Sequence, residues 1–591
     1  MASRIEIQNV NPLVDCGRYA VKACVDDEVR VEATIFRDGH EVLGAALRTK
    51  PLGARRWSET PMEDLGNDRW AASFTPGSGG RWCYRVEAWV DPVRSFQWEL
   101  RRKVEGGQKD LASELAEGAL LLEQKSLTVE QALAAEPGPR LEPTRSETLN
   151  VDVDSPLARF GSWYELFPRS WGGFEGVQAQ LPRFAELGFD VLYLPPIHPI
   201  GRTNRKGPNN TLESGPDDPG SPWAIGSEEG GHTAVNPELG SLDDFERLVR
   251  AAREQGIEIA LDYAIQCSPD HPWLAEHPEW FHRRPDGTLK YAENPPKRYQ
   301  DIYNVNFDSE DREGLWNALR DVMLFWIDHG VRVFRVDNPH TKPVPFWEWL
   351  IAEVRAWEPE IVLLSEAFTR PAMMTTLGKV GFQQSYTYFT WKNTKAELYE
   401  LMAQLLEWSP FLRPNFFANT PDILHEYLQR GGRPAFEARL VLAATLSPSY
   451  GIYSGFESFE NVPAAAGSEE YLDSEKYELK RRRLDGELLP LVQRLNTIRR
   501  EHAALQRLEN LRWLETENEQ LVAYAKDDVL VVVNLDPRHP QEGVAVVPAA
   551  LGLPPAFSVR DLLADADFHW RIGRNYVRLD PGGAHVLHVQ R

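Results

Sequence analysis

Between about residue 160 and residue 505 the chain alternates eight short apolar β-type runs with helical stretches. The runs are SWYELF, FDVLYLP, IEIALDYAI, VRVFRVD, IVLLSEAF, QQSYTYF, PNFFAN and GIYSG. Stretches such as LDDFERLVRAAREQG and LWNALRDVMLFWIDHG lie between them, with apolar residues at helical spacing. Parallel strands need a crossover after each strand, usually a helix. Eight such units suit a closed (β/α)8 TIM barrel. No other feature narrows the fold as far.

Three of these runs put a carboxylate at or just past the C-terminal end of an apolar β-type stretch. VRVFRVD ends in Asp337, IVLLSEAF carries Glu366, and the segment FFANTPD ends in Asp422. The C-terminal ends of barrel strands all open on one mouth, so residues distant in sequence converge there. Paired carboxylates at one site are the equipment for glycoside chemistry, one attacking the sugar and the other shuttling a proton. Each also has a plainer reading. Asp337 precedes Asn338-Pro339 and could cap a turn. Glu366 could form a barrel-mouth salt bridge with Arg335. Asp422 follows Pro421, where Asp is an ordinary turn residue.

The barrel region does not fill the 591 residues, and the chain reads as multidomain α/β. Residues 1–103 look like an N-terminal β-sandwich. Val29, Val31, Ala33 and Ile35 alternate with polar residues, as do Trp82, Tyr84, Val86 and Ala88. Residues 104–150 change period: Leu111, Leu115, Ala119 and Leu122 mark one helical face, and TVEQALAA suggests a second short helix. EPGPRLEPTRSE follows and reads as a linker. The catalytic barrel then spans 151–507. A Pro-, His-, Asn- and Trp-rich stretch around 266–310 is too long for a plain loop and is expected to be an inserted subdomain. Residues 508–591 return to β character, as in VLVVVNLD and NYVRLD, and should form a C-terminal β-sandwich.

Composition excludes several partners. The formal net charge of −23 would repel nucleic-acid phosphates and anionic bilayers, so neither is expected. A phosphorylated substrate would need a local basic pocket. Cys16, Cys24, Cys83 and Cys267 show no CxxC and no zinc spacing. One bridge among the first three remains open, although reduced, partly buried thiols are expected. MASRIEIQNV lacks the apolar core of a leader, and no run reaches ~18 apolar residues, so a cytoplasmic location is expected. His232, after the glycine pair in EEGGH, has no metal-ligand spacing and could equally hold a backbone carbonyl. There is no GxGxxG on a strand–helix unit, no Walker-type loop and no HExxH. No metal and no organic cofactor is implied.

LDYAIQ, FRVDN, SEAF and NTPD, in this order across the barrel, resemble the strand-end motifs of glycoside hydrolase family 13, the α-amylase family. Longer runs are similar to its α-1,4-glucan:maltose-1-phosphate maltosyltransferase subgroup. Among them are WYELFPRS, PPIHPIGRTNRKGPNNTL, CSPDHPW, ENPPKRYQDIY, FRVDNPHTKP, FQQSYTYFTWKNTK and GSEEYLDSEKYELK. The dense match covers roughly residues 155–500. In that subgroup the helical insert is a fuller bundle that helps form a dimer. Here it is short, so a homodimer stays open.

The resemblance implies roles for particular residues. Asp337 would be the nucleophile, forming a β-maltosyl ester. Glu366 would be the acid/base, its pKa raised by the apolar neighbours Leu363 and Leu364. Asp422 would hold sugar hydroxyls and favour the oxocarbenium-like transition state. Arg335, two residues before Asp337 on the same strand face, is placed to pair with that carboxylate. Asn294, Lys297 and Tyr299 in ENPPKRYQDIY, with Asn338, would surround the phosphate of maltose 1-phosphate, although a Pro-rich turn is the plainer reading of that loop. Lys206, Gln266, Lys476 and Tyr477 would contact the donor's second glucose unit, where exposed lysines are otherwise only solvated charges. Asp262 in LDYAIQ would support the site.

The implied reaction moves maltose from α-maltose 1-phosphate to the non-reducing end of an α-1,4-glucan, with inorganic phosphate as product. A hydrolase or trehalose synthase-type enzyme on the same scaffold stays open beside it. A non-catalytic glucan-binding protein is opposed by the presence of all three carboxylates.

Overall fold

The computed structural model describes residues 3–294 and 297–590, and the chain divides into two compact units, Met1–Asp154 and Ser155–Arg591.

In the first unit, the expected alternation produces two sheets. One holds Ile5–Asn11, Val29–Arg37, Arg69–Phe74 and Glu63–Asp64 in that order. The other runs Val21–Cys24, Leu149–Asp154, Gly80–Val90, Leu43–Pro51 and Ser58–Pro61, with Leu141–Arg145 also paired to Gly80–Val90. Val29, Val31, Ala33 and Ile35 are buried, as are Tyr84, Val86 and Ala88; Trp82 is only half-buried.

Two details differ from the reading of the sequence. The helix Pro92–Glu105 runs across the expected boundary at residue 103, started by Asp91, whose carboxylate accepts from the Arg94 N–H, with Pro92 at the first helical position. The segment read as a linker contains the strand Leu141–Arg145, and the chain re-enters the sheet through Leu149–Asp154. Tertiary pairing decides this. Buried Glu87 on the central strand takes Arg145 Nε at 2.8 Å and Arg48 Nη2 at 3.1 Å, so a charged, Pro-containing segment is drawn onto the sheet. Between these strands, Ala112–Leu121 and Val129–Leu133 pack on the first helix around Leu100, Ala119, Leu127 and Ala132, with Leu111, Leu115 and Leu122 beside them. A capping box of Thr128 and Gln131 begins the last helix.

In the second unit eight parallel strands close into a barrel. They are β1 (Gly161–Glu165), β2 (Val191–Leu194), β3 (Glu258–Tyr263), β4 (Val333–Val336), β5 (Val362–Ser365), β6 (Gln384–Tyr386), β7 (Pro414–Phe417) and β8 (Ser449–Tyr453). Each overlaps one of the eight sequence runs. Trp163, Val191, Tyr193, Ala260, Val333, Leu364, Tyr386 and Phe417 fill the interior, so the barrel is a packed core. Helices Leu242–Glu254 and Arg312–Asp328 lie where helical spacing predicts them; the first begins with a Ser241/Asp244 capping box.

The stretch after β3 forms a small three-stranded sheet of Gln266–Cys267, Lys297–Asn304 and Tyr291–Asn294. From Leu511 to Gln590 eight antiparallel strands share a core that includes Leu514, Leu530, Val532, Val559 and Leu587. All four cysteines are free thiols, Cys16 exposed and the others buried. Among the described residues no helix is long and apolar enough to cross a membrane.

Candidate active site

Side chains alternate along a strand, so Val333, Arg335 and Asp337 line one face of β4 and its extension. Val333 packs in the barrel interior, Arg335 lies in the layer above it, and Asp337 follows at the mouth. The hydrogen-bond ladder continues past the strand ends: Asp337 N–H donates to Tyr263 O at 3.1 Å, and Glu366 N–H donates to Val336 O at 3.0 Å. Both acid-bearing backbones are therefore pinned to the neighbouring strand.

Arg335 is the hub. Its Nη1 donates to Asp337 Oδ1 at 2.8 Å and to Asp262 Oδ2 at 2.9 Å, while Nη2 stands 2.5 Å from Glu366 Oε1. The sequence pairs Arg335 with Asp337 and offers Glu366 as a further partner; both pairings are present, and the barrel adds Asp262. Asp262 Oδ2 also accepts from Tyr193 Oη at 2.6 Å and Trp223 Nε1 at 3.2 Å. Burial pushes the carboxyls of both Asp262 and Glu366 above the usual range, against the pull of Arg335. For Glu366 the rise is in the expected direction. Glu165, at the end of β1, is also fully buried and raised well above the carboxylate range, again by loss of hydration.

A cavity of about 560 Å³ opens over this cluster. Asp337, Asn338, Glu366, Asp422, Gln266, Tyr299, Lys476 and Tyr477 line it. Eight of the thirteen site residues expected from the sequence thus meet at one place. Asp262 and Arg335 lie beneath it. Lys206 is buried, donating to Gln300 Oε1 at 2.8 Å, and it faces Asp301, whose carboxyl burial raises to about 6. Gln266 Nε2 is held by the Trp223 carbonyl at 3.4 Å. The side chains of Asn294 and Lys297 lie outside the described part of the structure. Their backbones are the paired ends of two strands in the inserted sheet, on the same hairpin as Tyr299.

Asp422 stands in the turn after β7 and is the most exposed of the three acids. Lys476, expected at the donor's second glucose unit, ion-pairs with Asp422 and stands 2.7 Å from Glu470 Oε2. Both anions hold its ammonium firmly protonated despite burial.

The sequence reading passes over several residues that the fold brings to the cavity: Trp223, His340, Lys342, Phe368, Trp391 and Glu469. Trp391 Nε1 donates to Glu469 Oε1 at 2.8 Å, and its ring meets Phe368 edge-on. Only Lys342 and His340 carried a local signal, since both lie within five residues of Asp337.

His232 does hold a carbonyl. Its Nε2 is 3.0 Å from Ala264 O, and its Nδ1 is 3.0 Å from His271 Nε2. His271 Nδ1 accepts from Trp273 N–H, so its Nε2 carries the proton and donates to His232. Cys267 lies within ligand distance of the pair, but each ring nitrogen is already committed to a hydrogen bond. Gly226 and Gly231 admit this stack, since a Cβ at either would come within 2.3 Å of the His271 ring.

Comparison with known proteins finds relatives along the whole chain. Residues 3–159 match the family described as alpha-1,4-glucan:maltose-1-phosphate maltosyltransferase, domain N/S. Residues 161–344 match the alpha amylase catalytic domain, and 513–589 match the family described as GLGE, C-terminal. The chain is 51% identical over 647 residues to alpha-1,4-glucan:maltose-1-phosphate maltosyltransferase 2 of Streptomyces coelicolor, covering 100% of this chain and 96% of that one. It is 46% identical to the enzyme of the same name from Mycolicibacterium smegmatis, covering 100% of this chain and 97% of the relative. Among solved structures, an alpha-amylase from Lactobacillus plantarum aligns with a TM-score of 0.59 at 24% identity, over 74% of this chain and 100% of its own; that likeness concerns the fold.

Proposed function

The chain belongs to the α-1,4-glucan:maltose-1-phosphate maltosyltransferase family, and from that premise we propose that it moves maltosyl units from α-maltose 1-phosphate to the non-reducing end of an α-1,4-glucan, with retention and release of phosphate. The observation that carries the reading is the Arg335 bridge between Asp337 and Glu366 at the cavity floor. It brings two carboxyls together, one of them shifted toward its protonated form.

We assign attack to Asp337 Oδ2, since Oδ1 is committed to Arg335. The bond from Oδ2 to the anomeric carbon forms as the bond to the phosphate oxygen breaks, giving a β-maltosyl ester and phosphate. Glu366, protonated, gives its proton to the leaving oxygen. As a carboxylate it then takes the proton of the acceptor's 4-hydroxyl, whose oxygen attacks the anomeric carbon and displaces Asp337. Two inversions return the α configuration. Asp422, oriented by Lys476, holds sugar hydroxyls in the transition state. Gln266, Lys206, Lys476 and Tyr477 serve the second glucose unit. Tyr299 and Asn338 meet the phosphate, together with Asn294 and Lys297 from the same hairpin.

A transferase must favour a sugar hydroxyl over water, which oriented binding of the acceptor can accomplish. The test is incubation with maltose 1-phosphate and maltohexaose. Phosphate should appear together with oligosaccharides longer by two glucose units. Dominant release of free maltose would favour a hydrolase, and no phosphate release at all would end the reading.

A further inference from the structure

Lys342 is a buried lysine that none of these roles employs. It lies five residues past Asp337 and folds back, so that Nζ stands 3.3 Å from the carbonyl oxygens of both Asp337 and Asn338. Lysines are almost never buried without a partner. Burial draws its pKa down, and the nearby Asp337 and Glu366 carboxyls oppose that shift.

Asn338 shows what is being held. Its φ of 40° and ψ of 53° lie in the left-handed region, which Asn tolerates better than most residues. In this conformation its backbone N–H donates to Glu366 Oε2 at 3.2 Å, and its side-chain Nδ2 stands 3.5 Å from Asp337 Oδ1. One residue therefore touches both carboxyls. Thr341 donates to the Asn338 carbonyl through Oγ1 at 2.8 Å and through its N–H at 3.1 Å. Lys342 adds a positive charge to these grips on the turn.

We propose that Lys342 is a positioning residue: its buried ammonium locks the Asp337–Asn338 peptide in the left-handed turn that presents Asn338 to both reacting carboxyls. Its charge has a second effect. Asp337, Glu366 and Asp262 attract it, while Arg335 and His340 repel it. Glu293 and Asp308, with His282 and Lys290, line the adjoining cavity on its other side. A fixed cation here favours the carboxylate form of Glu366, which the second half-reaction needs. The assignment rests on the proposed roles of Asp337 and Glu366.

Two variants test it. Lys342→Met removes the charge and keeps the length. Lys342→Cys can be alkylated with 2-bromoethylamine to rebuild an ammonium side chain, with wild type treated in parallel because Cys16 is exposed. In Lys342→Met, kcat should fall about tenfold to a hundredfold, as misplacement of reacting groups does, while the donor KM changes little. The limb of the kcat–pH profile that Glu366 sets should move up by about half a unit to one unit, since Glu366 keeps its proton longer without the cation. Alkylated Lys342→Cys should recover both. The Glu366 carboxyl band, read by infrared difference against Glu366→Gln, should titrate higher in the Lys342→Met background, independently of turnover. If wild type fails to release phosphate from maltose 1-phosphate, the proposed function falls, yet the infrared titration still judges Lys342. Wild-type kcat and pH limbs in folded Lys342→Met would overturn the proposal. So would a slower enzyme whose limbs and infrared titration stay fixed, because that is a structural effect alone. If Lys342→Met does not fold, Lys342→Cys before and after alkylation gives the same comparison.

Discussion

Arg335 Nη2 lies 2.5 Å from Glu366 Oε1. The same guanidinium also serves Asp337 and Asp262, so one cation compensates three buried carboxyls. Arg, with five donors in a planar fork, suits such a hub in a way that Lys does not.

Removing this cation should strand the acids. Arg335→Met is expected to destabilise the protein by about 3–5 kcal/mol, the range seen when a buried ion pair loses one partner. The loss should be larger at pH 8 than at pH 5. Asp262 and Glu366 already hold protons more tightly folded than unfolded, and removing the guanidinium raises them further, so stability falls as pH rises. Chemical denaturation at the two pH values measures this. A pH-independent loss would show that packing, and not charge, is what Arg335 supplies.

Asp337→Ala should reduce transfer by orders of magnitude in a folded protein, because the covalent route needs that carboxylate. Glu366→Ala should instead stall at the second step, where the acceptor hydroxyl must lose its proton. With α-maltosyl fluoride as donor, mass spectrometry of Glu366→Ala should find a maltosyl group on the peptide containing Asp337. Absence of added mass there would count against the assignment.

Lys297 offers the one formal positive charge among Asn294, Lys297 and Tyr299, on a chain of net charge −23. A charge-assisted hydrogen bond to phosphate is worth ~1.5–3 kcal/mol. Lys297→Ala should therefore lower kcat/KM for maltose 1-phosphate by about tenfold to a hundredfold. The value for maltosyl fluoride, which carries no phosphate, should hardly change. Equal losses with both donors would make the hairpin a general sugar contact.

The imidazoles of His198, His232 and His271 form a buried group whose pKa values burial lowers from 6.5 to about 3, about 4 and about 2. Each binds a proton more readily unfolded than folded. Their contribution is therefore present above pH 6.5 and is lost as pH falls below it. Linkage puts the loss between pH 7 and pH 5 at about 2 kcal/mol for each ring. Thermal melts should show Tm falling steeply across that interval. His232→Gln should flatten the dependence, and an unchanged slope in that variant would remove His232 from the account.

Much of the barrel was readable because its signals are local. Each strand is a short apolar run between turn residues, and the helices between them repeat at their own period, so eight units were countable without contacts. The position of an acid at the end of such a run fixes which mouth it faces, and hence Asp337, Glu366 and Asp422 were nameable together. The strand Leu141–Arg145 was not readable, since its sequence is charged and contains Pro143, and only pairing with the strand that carries Glu87 makes it extended.

The sequence alone therefore determined the order of the barrel's strands and which carboxylates reach the mouth, because strand period and strand ends are properties of neighbouring residues. Tertiary structure alone decided how those carboxylates are charged and held. Arg335 is read beside Asp337, with Glu366 as a further partner, and serves both at once together with Asp262. Lys476 was expected on a sugar and meets Asp422 and Glu470. Trp391 and Phe368 reach the cavity by chain paths that no local pattern encodes. Burial and charge compensation depend on groups brought together from β1, β3, β4 and β5, and those distances exist only once the barrel has closed.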